Sequence, residues 1–369
     1  MIEKGKISAQ QMGIMMYPVI VGTGIISVPA ATAKYAHNDL WLSPFWASFL
    51  GFIPIYIAFQ LHKFYPKQTI IQYSEQITGR ILGKILGFIY LVFYIQMNGG
   101  GIRIYSEFIN GAFLPKTPQI LVSLTMVLVC SFAVRGGIEV LARVAQFFIP
   151  LYVLSIVILI ILLLPELDYK NMLPILENGL MPSLKGSIVP GGWFAEFLLV
   201  AFLFPYLSDT EKGRKWGKIS VFSVLITFIV TNFLILFLFG GTTSRYLYPL
   251  FSASRYISVA GFLEHLESIL MAMWVAGTFI KFSVVLYAIV LCAAQLLNLS
   301  DYRPIVFPLG FLNILFSMWG TPNKMVESEY NFIVFPIYSF FVQILIPLML
   351  LIIAVLRKKR YPTSRGSGS

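Results

Sequence analysis

Long apolar runs separated by short polar connections set the pattern of this chain. Ten runs stand out, at residues 8–34, 40–61, 84–112, 118–134, 141–164, 187–207, 217–241, 268–297, 303–320 and 331–356. At 1.5 Å of rise per residue, each is long enough to cross a hydrocarbon core of about 30 Å as a helix. The connection at 62–83 is polar, with Glu75 in an amphipathic stretch. The one at 165–186 carries Pro165, Pro174 and Pro182 beside Glu166, Asp168 and Glu177. Residues 242–267 hold Arg245, Arg255, Glu264 and Glu267 and enough apolar residues for a short helix lying on the protein.

Two of the runs are interrupted. The first contains Val21-Gly22-Thr23-Gly24-Ile25-Ile26-Ser27-Val28-Pro29, within 27 residues (7–33) that lack any charged side chain. A glycine inside a helix costs about 1 kcal/mol relative to alanine and an interior proline about 3. Backbone groups freed at membrane depth must find partners inside the protein or in a water-filled cavity. In secondary transporters that partner is a substrate or coupling ion. The alternative is a glycine face for close helix packing, although Gly22 and Gly24 do not share one helical face. The sixth run opens on Pro190-Gly191-Gly192 and closes on Phe204-Pro205. Ten runs divide into two fives of opposite orientation, about 8–164 and 187–356. Corresponding interrupted segments in two halves point to a binding site near the bilayer midplane.

Composition narrows the class. Of 369 residues, 58% are hydrophobic and 12% charged, and the mean hydropathy is +0.81. These values predict an all-α polytopic membrane protein, one integral domain over residues 1–362 with no separate soluble domain. Residues 363–369 read as an expression scar. The first run is too long for a cleavable signal peptide. The net charge of +11 does not imply nucleic acid, because the basic residues flank apolar runs. With the scar set aside, 17 lysines and arginines fall on the side of the termini and 7 on the other. That bias predicts cytoplasmic termini. Cys130 and Cys292 lie inside apolar runs, and His37, His62 and His265 are scattered, so neither a disulfide nor a metal centre is expected. No P-loop, His-Glu-x-x-His or Ser-His-Asp arrangement can be assigned, and no cofactor is expected.

Charges inside the runs are the candidate chemistry, since each costs about 2.5–3.5 kcal/mol on insertion scales. Arg103 and Glu107 are four residues apart on one helix face and can pair, or can snorkel to the outer interface. Lys281 has 13 uncharged residues before it and 19 after it. It is either a substitute for a bound cation, held by carbonyls of a broken helix, or a structural lysine paired with Glu196 or another acid. Glu196 is a proton site, a partner for a ligand amine, or a hydrated group near the outer end of its span that pairs with a loop. Asp209 and Glu211, at the inner end of the sixth run, read as solvated or capping.

The order of motifs resembles the endospore germination permeases, the B subunits of nutrient germinant receptors, within the amino acid–polyamine–organocation superfamily. The residues carrying the resemblance are Lys6-Ile7-Ser8-Ala9-Gln10-Gln11, Gly22-Thr23-Gly24-Ile25, Phe113-Leu114-Pro115 with Thr117-Pro118, and Phe204-Pro205-Tyr206-Leu207. The resemblance implies a LeuT-like inverted five-plus-five fold with helices 1 and 6 broken. It also implies a small nutrient ligand, in particular an amino acid, held between spans 1, 3, 6 and 8. The ligand carboxylate would meet backbone N–H groups near Gly22, Thr23, Gly24 and Ile25. The walls would come from Met97, Asn98 and Gly99, from Leu199, Val200 and Phe202, and from Thr278 and Phe282. Lys281 departs from sodium-coupled relatives and argues against sodium. The implied partners are a larger A subunit and a C lipoprotein, and the implied location is the spore inner membrane. A nutrient sensor is the leading expectation, and a proton-coupled amino acid carrier working through Lys281 or Glu196 is the alternative. An enzyme is not expected.

Overall fold

A computed structural model describes residues 3–256, 266–320, 326 and 329–360. Each of the ten apolar runs falls on helix. The helices are α1 (Ala9–Ala36), α2 (Ser43–Phe64), α3 (Ile70–Thr78), α4 (Arg80–Ala112), α5 (Gln119–Arg135), α6 (Ile138–Leu163), α7 (Met181–Gly186), α8 (Ile188–Ala195), α9 (Val200–Leu203), α10 (Thr210–Phe239), α11 (Pro249–Ser254), α12 (Leu266–Leu296), α13 (Val306–Trp319), α14 (Phe335–Phe340) and α15 (Ile346–Arg360). Among the described residues, seven helical stretches are long and apolar enough to cross a membrane. The first is a 56-residue stretch, Ala9–Phe64, divided by a 3-10 turn at His37–Leu42 into α1 and α2. The stretches around α5 and α13 are apolar but shorter. Residues 363–369, Glu264 and His265 lie outside the described residues. In the 242–267 connection the described residues form a 3-10 turn, Gly240–Arg245, and the short helix α11.

Burial separates the centre of the bundle from its lipid-facing rim. In Ile188–Tyr206 the apolar window is 89% buried and in Leu270–Leu296 it is 83% buried, against 33% in Ile138–Glu166. A helix apolar all round belongs inside other helices or in lipid. Here α1, the α8–α9 segment and α12 take the interior, and α6 turns a broad apolar face outward.

The two interrupted runs behave differently. The sixth is broken as expected: α8 passes into a 3-10 turn at Glu196–Leu199, then α9, then a second 3-10 turn at Phe204–Tyr206. The first stays wound as α-helix through Gly22, Thr23 and Gly24. The N–H groups of Gly22, Thr23, Gly24 and Ile25 therefore remain bonded to the preceding turn rather than free for a carboxylate. Only the prolines interrupt the ladder, since Pro18 and Pro29 cannot donate to the carbonyls of Ile14 and Ile25. The glycines serve close packing in two directions. A Cβ at Gly22 would sit 3.4 Å from the carbonyl oxygen of Gly277 in α12. One at Gly24 would sit 2.6 Å from Cζ of Phe228 in α10. Two glycines two residues apart suit a helix that must approach different neighbours on different sides.

The segment before α1 fastens the terminal end of the bundle. Ser8 and Gln11 form a reciprocal capping box at the start of α1. Ile7 pairs with the chain after the sixth run, its N–H donating to Tyr206 O (3.0 Å) and its carbonyl accepting from Ser208 N (2.9 Å). The carboxylate of Glu3 is buried, and among the described residues no cation pairs with it. It accepts from the N–H groups of Lys4 and Gly5 (both 2.8 Å) and Ile138 (3.3 Å), and from the hydroxyls of Tyr302 (2.8 Å) and Tyr287 (3.4 Å). Ile138 is the first residue of α6, so a helix N-terminus supplies part of the compensation. Burial, reinforced by this carboxylate, pushes the Tyr302 hydroxyl pKa up and keeps it a donor.

Gly24→Val should force Phe228 aside and lower stability by about 1–3 kcal/mol. Adding Phe228→Ala should recover most of that loss in thermal unfolding of the detergent-solubilised protein. Failure of the second substitution to rescue the first would show that Gly24 is not there for this contact.

Candidate functional site

The break in the sixth run places Glu196 at the first position of a 3-10 turn, deep in the bundle and 1% exposed. Lys281, midway along α12, is 2% exposed and reaches it. Lys281 Nζ lies 2.9 Å from Glu196 Oε2 and 3.3 Å from Oε1. It also donates to Thr23 Oγ1 of α1 at 2.8 Å. The same hydroxyl oxygen accepts from Trp193 Nε1 of α8 at 3.2 Å. Four side chains from three segments thus close one polar junction at the level of the α1 glycines. Of the two readings of Lys281, pairing with an acid is the one that holds, and carbonyls of an open helix are not its partners. Glu196 is not a hydrated group at the outer end of its span.

A second layer adjoins this junction. Gly192, one residue before Trp193, accepts through its carbonyl from Ser339 Oγ (3.0 Å), which in turn accepts from Gln343 Nε2 (2.7 Å). Tyr94 of α4 donates to Gln343 Oε1 at 3.5 Å. Trp193, Ser339 and Gln343 are not among the site residues expected from the sequence. Gln343 carried a usable signal, as the one amide in an otherwise apolar stretch from 340 to 356.

The other expected site residues disperse. Thr278 is buried, but its hydroxyl donates to Trp274 O and Val275 O within its own helix. Gly99 faces α13, where a Cβ would meet Phe316 at 2.8 Å. Phe282 covers Gly101 and packs edge-on against Tyr105. Leu199, Val200 and Phe202 are fully buried, with Phe202 edge-on to Tyr94 at 5.6 Å. Met97 is buried, and Asn98 is buried with its Oδ1 lacking a hydrogen-bond partner among the described residues. Ile25 lines an apolar cavity one turn further along, with Tyr152, Trp274 and Phe251. Arg103 Nε lies 3.0 Å from Glu107 Oε1, both side chains under one-fifth exposed. Among the described residues no group of three His, Cys, Asp or Glu side chains is arranged to hold a metal.

These features, a helix bundle with a broken sixth segment and a buried polar junction between α1, that segment and α12, define a permease-type membrane protein. The fold agrees with solved LeuT-fold transporters. It superposes on MhsT in complex with L-phenylalanine with a TM-score of 0.65 at 12% identity, covering 96% of this chain and 89% of that one. It superposes on a Na+-coupled sialic acid symporter, in a substrate-bound outward-open state, with a TM-score of 0.59 at 12% identity, covering 97% and 85%.

The chain belongs to the spore germination protein family of spore permeases, whose model matches residues 6–325. It is 28% identical over 371 residues to spore germination protein KB of Bacillus subtilis (strain 168), covering 99% of both chains. It is 24% identical to spore germination protein YndE of the same organism, covering 96% of this chain and 98% of the relative.

Lys281→Met should leave Glu196 as an unpaired buried acid and destabilise the protein by about 3–5 kcal/mol. Lys281→Met combined with Glu196→Leu should regain much of that loss. Unfolding midpoints of the two single variants and the double variant give the coupling between them, and a coupling near zero would dissolve the pair.

Proposed function

We propose that this protein is the nutrient-sensing subunit of a spore germinant receptor, binding a zwitterionic amino acid at the junction of Thr23, Glu196 and Lys281. The carrying observation is that junction: a buried acid and a buried base in direct contact, the base also donating to a hydroxyl from α1, at the first break in the sixth segment. An amino acid presents the complementary pair. Its carboxylate replaces Glu196 at Lys281, and its ammonium replaces Lys281 at Glu196. The internal ion pair is exchanged for two external ones, so no buried charge is left alone. The exchange separates the broken segment from α12 and loosens the tie to α1. A ligand shifts a conformational balance only by its differential affinity for the two arrangements, and this exchange supplies one. Family membership supports germination as the setting. The receptor's A subunit and C lipoprotein then read the rearrangement, in the spore inner membrane, with both termini in the cytoplasm.

A proton-coupled amino acid carrier is the second reading. The observation favouring it is again the buried pair, because titratable groups at membrane depth are typical of proton relays. Both readings need the same ligand site and neither requires a catalytic group.

Thermal unfolding of the purified protein against a panel of amino acids, sugars and nucleosides tests the site. A ligand present at a hundred times its Kd should stabilise by about 2.7 kcal/mol. The stabilising amino acid should lose its effect as its methyl ester and as its N-acetyl derivative, each missing one charge. Equal stabilisation by all three forms would refute a zwitterion exchange at Lys281 and Glu196. Uptake of the same ligand by this chain alone in liposomes would favour the carrier.

A further inference from the structure

At the terminal end of the bundle, the seam between α2 and α10 holds two cations that share one aromatic ring. Lys63 Nζ lies 4.6 Å from the centroid of Phe59. Arg214 Cζ lies 6.0 Å from the same centroid and 5.3 Å from that of Tyr56. Among the described residues neither cation has a carboxylate within ion-pair distance. Asp209, one turn before Arg214, is engaged by Ala9 N and Lys212. Arg214 Nε is buried and makes no hydrogen bond among the described residues. Aromatic faces attract cations but accept no strong hydrogen bond, so they leave that donor unmet and two like charges side by side.

The surroundings say what completes the arrangement. Lys63 stands in the last turn of α2 and Arg214 in the second turn of α10. Both lie near helix ends on the side that the lysine and arginine count assigns to the cytoplasm. Moving from there toward the bilayer centre, the same seam is exposed and apolar: Tyr56, Ile53 and Phe49 on α2, and Ile219, Phe222 and Ile226 on α10. The notch is held firmly, because Gly213 packs on Phe204 and Gly217 on Ile55, leaving no room for a Cβ to be added without displacement.

We propose that this notch binds the phosphate of an anionic phospholipid, with Arg214 and Lys63 donating to the phosphodiester oxygens and the acyl chains lying along the seam. The guanidinium fork suits a tetrahedral oxyanion, and the flanking apolar strip is what a lipid supplies and a free anion does not. A lipid of net negative charge is favoured over a zwitterionic one, whose choline offsets its phosphate.

The test is a titration of the delipidated full-length protein with phosphatidylglycerol, phosphatidylcholine and inorganic phosphate, read as thermal stabilisation. Phosphatidylglycerol should stabilise at lower concentration than phosphatidylcholine, and the difference should shrink as salt is raised. Arg214→Gln with Lys63→Gln should weaken the apparent affinity for phosphatidylglycerol about 30-fold, two surface charges' worth. Lys212→Gln, already paired with Asp209, should leave it nearly unchanged. The single variant Arg214→Lys, which keeps the charge but removes the buried Nε, should fall between. Equal stabilisation by the two lipids, or an unchanged affinity in the double variant, would overturn the proposal. Stabilisation by inorganic phosphate alone to the same extent would overturn the lipid as its source.

Discussion

A lysine and a glutamate cannot each stay charged alone at the depth of a hydrocarbon core. In this fold they meet, and the meeting ties together helices that are remote in sequence. Lys281 and Glu196 are 85 residues apart, and Lys281 and Thr23 are 258 apart. The desolvation of two such ions is offset only by close geometry and further hydrogen bonds. Thr23 and Trp193 provide part of that, and the break in the sixth segment provides the position from which Glu196 reaches α12. Packing around the junction is arranged to keep these segments near one another. Gly22 lets α1 approach Gly277, one turn from Lys281, and Gly24 lets it approach α10.

The terminal end of the bundle has its own tie, built on a different principle. Glu3 is buried, has no cation partner among the described residues, and accepts from backbone N–H groups and two tyrosine hydroxyls. One of those tyrosines, Tyr287, lies on α12 beyond Lys281, and Ile138 N opens α6. The segment 3–9 therefore joins α6, α12 and the chain after the broken segment at one end, while the Lys281 junction joins α1, the broken segment and α12 at mid-depth. Both ties therefore engage the same helix, α12.

The membrane class, the helical runs and the break in the sixth run were legible in the sequence because each follows from local rules: run length, charge exclusion and the cost of proline and glycine. Glu196, Lys281 and Thr23 were legible as candidates for the same reason. The Lys281–Glu196 pair stood as one of two readings but could not be chosen, and the Thr23 contact was not foreseen, since pairing depends on how helices turn about their axes, and a chain with apolar residues on every face gives no phase. That is why Gly99 and Thr278, placed at the site by depth alone, face α13 and their own helix instead. The expected opening of α1 failed on a related point: glycine is as useful for close packing as for unwinding, and only the neighbours decide. Glu3 escaped notice because its partners come from distant elements, although it is the only acid in the first 38 residues.

The central claim is that the ligand acts by exchanging partners with the Lys281–Glu196 pair. The most direct measurement is difference infrared spectroscopy of the purified protein on adding a stabilising amino acid, with Glu196→Gln used to assign the carboxylate band. The account predicts a shift of the Glu196 carboxylate stretch on ligand addition, absent from the variant spectrum. A ligand that binds, by independent thermal stabilisation, and leaves that band unmoved would place the site elsewhere and contradict the exchange.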